Sequence, residues 1–126
     1  MVPSDLRYTK DHEWIRVEGD TATVGITEYA AEQLGDVVFV ELPDEGRSLA
    51  QHATFGVVES VKAVSDLFTP VAGDVVEANA DLAGTPEAVN SDPYGAGWMV
   101  RLRITDPAQV DALLDAAAYE QLISEG

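Results

Sequence analysis

Short stretches of strand-forming residues, separated by turn residues, occupy most of the 126-residue chain. The pattern is clearest between residues 97 and 105, where every second side chain is apolar and two of the intervening ones are arginines. Such alternation is typical of a half-buried strand. The same criteria predict strands at residues 13–18, 21–27, 37–42, 55–61, 64–69, 74–78 and 97–105, the first two joined as a hairpin. Strands this short and numerous favour a β-sandwich or a β-barrel.

Two segments carry helix signals. Thr27 is suited to cap a short helix over residues 28–34, and Gly35 is suited to end it. Pro107 suits the first position of a second helix, and apolar residues recur at helical spacing after it, so we predict a helix over about residues 107–124. The chain is therefore expected to be mostly β, with a peripheral helix near each end.

Length and composition exclude several classes of protein. The length is typical of one domain, which we expect to span residues 1–126. No apolar run approaches the roughly 18 residues of a membrane-spanning helix, and the N-terminus does not resemble a signal peptide, so we expect a cytoplasmic protein. Because the chain has no cysteine, any redox chemistry would require a bound or attached group.

The chain is strongly acidic, with 23 Asp and Glu against 7 Lys and Arg and a net charge of −16. Such a surface repels phosphate backbones and anionic membranes, so neither nucleic acid nor a membrane is an expected partner. The charge has two interpretations, which the sequence leaves open. It either steers the protein toward basic surfaces on its partners or keeps it soluble.

One lysine is isolated within an acidic part of the chain. Lys62 is the only Lys or Arg between residues 48 and 100, a window that contains seven acidic residues. Strand-like residues flank it closely, so the chain must reverse direction near residues 60–63. This reversal would place Lys62 at the tip of a hairpin. The residue chemistry leaves two interpretations, an ordinary solvated lysine or a lysine presented to a modifying enzyme.

No other residue pattern indicates a catalytic or metal site. His12 and His52 are far apart in the sequence, and no carboxylate or third ligand accompanies either in a recognised pattern. Glycine-rich phosphate-binding motifs are absent from the sequence. We therefore predict neither a metal site nor nucleotide binding.

Five sequence blocks resemble the glycine cleavage system H protein family, in the family's order. They are YTKDHEW at residues 8–14, VGIT at 24–27, LGDVVFVELP at 34–43, ESVKA at 59–63 and NSDPYGAGW at 90–98. The ESVKA block, with Pro70 and Gly73 downstream, resembles the family's lipoylation site. The resemblance implies the fold of lipoyl and biotinyl carrier domains, a barrel-sandwich hybrid formed as a flattened β-barrel of two sheets.

The resemblance also implies a carrier rather than an enzyme. Lys62 would hold lipoate through an amide bond after the action of lipoate-attaching enzymes. The arm would carry an aminomethyl group from a PLP-dependent glycine decarboxylase (P protein) to a tetrahydrofolate-dependent aminomethyltransferase (T protein). A dihydrolipoamide dehydrogenase (L protein) would then reoxidise the dithiol. A shuttle that visits three active sites is expected to be a monomer.

Further site residues follow from the same resemblance. Glu13 and Asp66 are candidates to hold the cationic aminomethyl arm in a cleft, although both could instead be solvated surface acids. Glu59 and Ser60 are candidates for recognition by the lipoylating enzyme, and simple turn chemistry is the alternative. Gly73 is predicted to form a tight turn near the lysine hairpin, on which lipoylation depends indirectly.

Two alternative functions remain open at this point. An H-like protein that donates lipoate to 2-oxoacid dehydrogenases would share the lysine motif. An unmodified acidic interaction domain would share the composition. A biotin carrier is disfavoured, because Val61 and Ala63 stand where methionines usually flank a biotinyl lysine.

Overall fold

The computed structural model describes residues 2–125, within which nine β-strands and four short α-helices are found. The strands are β1 (Arg7–Tyr8), β2 (Glu13–Glu18), β3 (Thr21–Ile26), β4 (Val37–Glu41), β5 (Ser48–Leu49), β6 (Thr54–Ser60), β7 (Val64–Phe68), β8 (Gly73–Ala78) and β9 (Val100–Ile104). The helices are α1 (Glu28–Leu34), α2 (Ala88–Ser91), α3 (Ala108–Asp111) and α4 (Ala116–Glu125), and a 3₁₀ helix spans Ala80–Ala83. No helix in this part of the chain is long and apolar enough to cross a membrane.

The strands form two antiparallel sheets. The larger has the order β1-β2-β3-β9-β8-β5, and the smaller has the order β4-β6-β7. The predicted mostly-β, two-sheet fold is confirmed, and so are the seven predicted strands and the β2–β3 hairpin. The sheets are not closed into a continuous barrel. The strands β1 and β5 were not predicted, because two residues are too few to show the alternation of apolar and polar side chains.

Each sheet contributes its apolar face to a shared core. Ile15, Val24 and Leu102 from the larger sheet and Val58 from the smaller one are all buried there. Fully burying one such side chain contributes about 1.5–3 kcal/mol. A second apolar cluster lies under α4 and consists of Leu6, Tyr8, Trp14 and Tyr119.

The predicted short helix is confirmed as α1. Thr27 lies in extended conformation at its N-terminus, and its hydroxyl accepts a hydrogen bond from the Ala30 N–H. Gly35 ends the helix with a φ of 78°, and its N–H donates to the Ala31 carbonyl. Both ends therefore use the residues that satisfy otherwise unpaired backbone groups.

The predicted C-terminal helix is confirmed in α4, but it does not run continuously over residues 107–124. Two helices, α3 and α4, occupy this segment, and Leu114 lies between them. The Leu114 N–H donates to the Tyr8 carbonyl at 2.9 Å, and the Tyr8 N–H donates to the Leu114 carbonyl at 2.8 Å. Because this strand-like pairing uses the backbone groups of Leu114, the helix cannot continue through it. Asp115 then caps α4 by accepting from the Ala118 N–H.

Candidate functional site

The β6–β7 hairpin presents Lys62 to solvent, as the sequence predicts. Its last cross-strand pair is Glu59 with Val64. In the turn, the Ser60 N–H donates to the Ala63 carbonyl at 2.8 Å. The Ser60 hydroxyl oxygen accepts from the Ala63 N–H at 3.0 Å and from the Lys62 N–H at 3.3 Å. Ser60 therefore organises the turn that carries the lysine.

The Lys62 side chain lies over the C-terminal end of α1. The Val61 N–H donates to the Asp36 carbonyl at 3.0 Å, which attaches the hairpin to the residues after that helix. A Cβ atom placed on Gly35 would lie 3.4 Å from Cε of Lys62. The lysine stem therefore lies close to Gly35, and it passes the end of a helix that also lines a cleft.

This cleft has a volume of about 340 Å³, within the range of small-ligand sites. It is bounded by α1, the beginning of β2, and strands β6 and β7. Its polar lining residues within 2–125 are Asp11, His12, Glu13, Tyr29, Gln33, Ser65 and Asp66. Three of these are acids and none is Lys or Arg, so the cleft is electrostatically suited to a cation.

Glu13 is the buried acid of the cleft, with only 3% of its surface exposed. The Thr9 hydroxyl donates to its Oε1 at 2.6 Å. Burial is the main cause that raises the pKa of Glu13 from 4.5 to about 7, and the nearby charge of Asp11 adds to it. Hydrogen bonds from Thr9 and from the Phe68 backbone oppose this rise. Glu13 therefore changes charge near neutral pH, where a cationic neighbour would favour its ionised form.

Asp66 lines the same cleft from β7, the edge strand of the smaller sheet. Unlike Glu13, it is exposed, and it pairs across the sheet with Val57. The structure thus brings together two acids that are 53 positions apart in the sequence, one buried and one at the cleft's solvent edge.

Known proteins are similar to this chain in both sequence and architecture. The family model for glycine cleavage H-protein matches residues 6–126. The chain belongs to the glycine cleavage system H protein family. A relative of that name from Symbiobacterium thermophilum is 60% identical over 125 residues, covering 99% of this chain and 98% of that protein.

Two further matches agree with the family. The glycine cleavage system H protein of Magnetococcus marinus is 64% identical over 118 residues, covering 94% of this chain and 84% of its own length. The crystal structure of the H protein from Mycobacterium marinum matches with a TM-score of 0.90 and 42% identity, covering 98% of this chain and 99% of that one. H proteins are non-catalytic carrier subunits of the glycine cleavage system, and theirs is a family known to carry lipoate.

The predicted role of Gly73 in a tight turn is wrong. Gly73 begins β8 and pairs with Leu49 on one side and Ile104 on the other. A Cβ atom at this position would lie 2.6 Å from the Arg103 carbonyl oxygen. Glycine is therefore required by the close approach of β8 and β9 and not by turn geometry.

Replacing Gly73 with alanine is expected to destabilise the fold by about 2 kcal/mol, because the new methyl group must displace the β9 backbone. Gly84→Ala is a matched control, since a Cβ atom there meets nothing within 4 Å. Denaturant unfolding of both variants measures the difference. Equal stability of the two would contradict the packing role.

Glu59 lies on the smaller sheet, half-buried between Phe39 on β4 and Val64 on β7. It is adjacent to the Ser60 turn and three residues before the lysine. Its predicted role in recognition by a lipoylating enzyme stays a prediction, as does that of Ser60.

Sequence reasoning assigned no function to His12 and did not identify Tyr29. Both line the cleft, with ring centroids 4.8 Å apart. His12 has a φ of 70°, a conformation uncommon for residues other than glycine. The sequence signal that could have identified His12 as a site residue was its position beside Glu13 in the YTKDHEW block. Among residues 2–125, no group of three or more His, Cys, Asp or Glu residues is arranged to hold a metal ion.

Proposed function

We propose that Lys62 holds lipoate in an amide bond and that the protein carries the aminomethyl group of glycine between the enzymes of the glycine cleavage system. One observation carries the proposal. An exposed lysine on an ordered hairpin lies against Gly35, beside a cleft lined by three acids. This geometry suits a side chain that must both reach other proteins and return to its own surface.

The residues around Lys62 fit a lipoyl group. The lysine stem lies against Gly35, and the cleft beyond Leu34 is large enough for a small ring and its cargo. Bound lipoate would supply the dithiol and disulfide chemistry that a chain without cysteine lacks. The protein contributes position, because the hydrogen bonds of Ser60 hold the turn in one conformation.

Glu13 and Asp66 are proposed to receive the cationic amine of the cargo. A carboxylate that accepts a hydrogen bond from an ammonium group forms one of the stronger polar contacts. The contact is strengthened where water is excluded, and Glu13 is the buried member of the pair. Asp66 is exposed, so its contribution is expected to be smaller.

The proposed partners are glycine decarboxylase, aminomethyltransferase, dihydrolipoamide dehydrogenase and the enzymes that attach lipoate. The net charge of −16 would steer the protein toward basic surfaces around their active sites. Tethering would raise the local concentration of the cargo at each site. A monomeric state, a cytoplasmic location and a single domain stay predictions.

Stepwise reconstitution tests this function. The purified protein is treated with a lipoate-attaching enzyme and then with glycine decarboxylase, PLP and glycine, and its intact mass is measured after each step. We expect a lipoyl adduct first and a glycine-dependent aminomethyl adduct second. A lipoylated protein that accepts nothing from glycine, yet donates lipoate to a 2-oxoacid dehydrogenase, would support the relay function instead.

A further inference from the structure

Three side chains form a hydrogen-bonded chain that connects the C-terminal helix to the cleft. The Tyr119 hydroxyl of α4 lies 2.8 Å from Nδ1 of His12 and 2.7 Å from Oγ1 of Thr27. Thr27 caps α1, and its N–H also donates to the His12 carbonyl at 3.0 Å. One buried tyrosine therefore contacts both a residue of the cleft wall and the beginning of the helix opposite it.

Tyr119 is held rigidly enough to position these partners. It is fully buried, and its ring stacks on Tyr8 with centroids 4.8 Å apart and planes inclined by 15°. His12 lies edge-on to Tyr119 and tilted against Tyr29. The positive φ of His12 is a costly backbone conformation of the kind that clusters at functional sites.

The donors and acceptors in this hydrogen-bonded series can be ordered in one direction. The Ala30 N–H donates to Thr27 Oγ1, so the Thr27 hydroxyl proton is free to point at Tyr119. The Tyr119 proton then points at His12 Nδ1, which must be unprotonated. A protonated His12 would reverse the order and leave the buried Thr27 hydroxyl proton without an acceptor among residues 2–125. An unmade hydrogen bond on a buried group costs free energy.

The charge state of His12 matters because of what surrounds it. The titratable groups near it are Asp11 on its own loop, Glu13 on β2, Tyr29 on α1, Tyr119 on α4 and Asp66 on β7. An imidazolium in this position would attract the same carboxylates that a cationic cargo needs. A neutral imidazole leaves them available.

We propose that Tyr119, oriented by Thr27, is a positioning residue that holds His12 in the neutral form, with its proton on Nε2, so that the cleft stays free of positive charge when it receives its cargo. The benefit of a neutral His12 for cargo binding rests on the proposed function. The hydrogen bond between Tyr119 and His12, and its effect on the charge of His12, do not depend on lipoate. Burial acts in the same direction and lowers the pKa of His12.

Nuclear magnetic resonance of the full-length, unlipoylated protein tests the positioning. The chain contains two histidines, so nitrogen-detected imidazole spectra resolve His12 from the exposed His52. In the unsubstituted protein, His12 should show an unprotonated Nδ1. Tyr119→Phe keeps the stack on Tyr8 but removes both hydrogen bonds, and it should raise the pKa of His12 by about 0.5–1 pH unit, a three- to tenfold gain in proton affinity.

Tyr29→Phe is the matched control, because it also removes a hydroxyl from a ring beside His12 and no hydrogen bond to His12 is lost. It should leave the pKa of His12 unchanged, and the resonances of His52 should not move in either variant. An unchanged or lowered pKa in Tyr119→Phe, or a proton on Nδ1 at neutral pH, would overturn the inference whatever the protein carries.

Retention of the aminomethyl cargo tests whether a neutral His12 helps the cleft to hold it. Aminomethyl-loaded protein is followed at pH 8.5 and at pH 6.5. Tyr119→Phe should match the unsubstituted protein at pH 8.5, where His12 is neutral in both, and should lose its cargo faster than the unsubstituted protein at pH 6.5, where more of its His12 is protonated. Faster loss at both pH values would show a structural role only and overturn the charge argument. Failure of the proposed function would instead appear as no loading of the unsubstituted protein.

Discussion

Replacing Lys62 with arginine is expected to abolish attachment of lipoate and reduce glycine-dependent activity to background. Amide formation requires a neutral amine as nucleophile. A lysine amine can lose its proton when it attacks, whereas a guanidinium stays protonated in proteins. The substitution preserves the positive charge and most of the stem that lies over Gly35. The measurement is the intact mass after treatment with a lipoate-attaching enzyme, followed by an assay with the decarboxylase and glycine.

Lys10→Arg is the natural control, since Lys10 is the only other lysine in the sequence. It is exposed and lies outside the β6–β7 hairpin. This variant should be lipoylated like the unsubstituted protein and keep full activity. An adduct on Lys62→Arg, or loss of the adduct from Lys10→Arg, would refute the assignment of Lys62.

Glu13→Gln is expected to stabilise the protein at alkaline pH while weakening its hold on the cargo. The folded state raises the pKa of Glu13 from 4.5 to about 7. Its contribution to stability is therefore complete below pH 4.5 and is lost as the pH rises through about 7. The loss amounts to about 3 kcal/mol. Glutamine resembles the protonated acid, so the variant should avoid this loss.

The measurement is the free energy of unfolding of both proteins between pH 4 and pH 9. The two curves should converge at low pH, and the variant should be more stable by up to about 3 kcal/mol at high pH. Asp66→Asn is a matched control, because Asp66 is exposed and its replacement should change the free energy of unfolding by no more than about 0.5 kcal/mol. A variant that is equally or less stable at pH 9 would contradict the burial argument.

The same substitution should accelerate non-enzymatic loss of the aminomethyl group. Removing a charge-assisted hydrogen bond costs about 1.5–3 kcal/mol, which corresponds to loss about 10- to 100-fold faster. Asp66→Asn should have an effect of only a few-fold, since an exposed pair contributes little. Unchanged decay in both variants would show that the cleft does not retain the cargo through these acids.

The pH dependence of retention follows from the same group. A bound cation favours the ionised carboxylate and so lowers the pKa of Glu13. Retention in the unsubstituted protein should therefore weaken as the pH falls below about 7. Glu13→Gln should lack this dependence. A buried acid that costs stability when ionised is the kind of compromise expected where function requires a charge.

Local patterns in the sequence predicted most of the framework and the position of the lysine. The strand β9, which is shorter than the predicted range 97–105, and the β2–β3 hairpin were predicted because their side chains alternate and turn residues bound them. The helix α1 was predicted because Thr27 and Gly35 act on backbone groups only a few residues away. Lys62 was located because the chain must reverse between two adjacent strands. All of these signals lie within a few residues of their effect.

Contacts between distant residues determined the structural features that the sequence did not predict. Leu114 breaks the C-terminal helix because its backbone pairs with Tyr8, and Gly73 is required because β9 approaches β8 closely. Glu13 and Asp66 differ in burial, a property that the identity of a carboxylate does not contain. His12 meets Tyr119 from 107 positions away. The order of residues thus determined most of the strands, the first helix and the place of Lys62 on a hairpin. The pKa of Glu13 and the surroundings of His12 arise only when the folded chain excludes water and brings distant groups into hydrogen-bonding range.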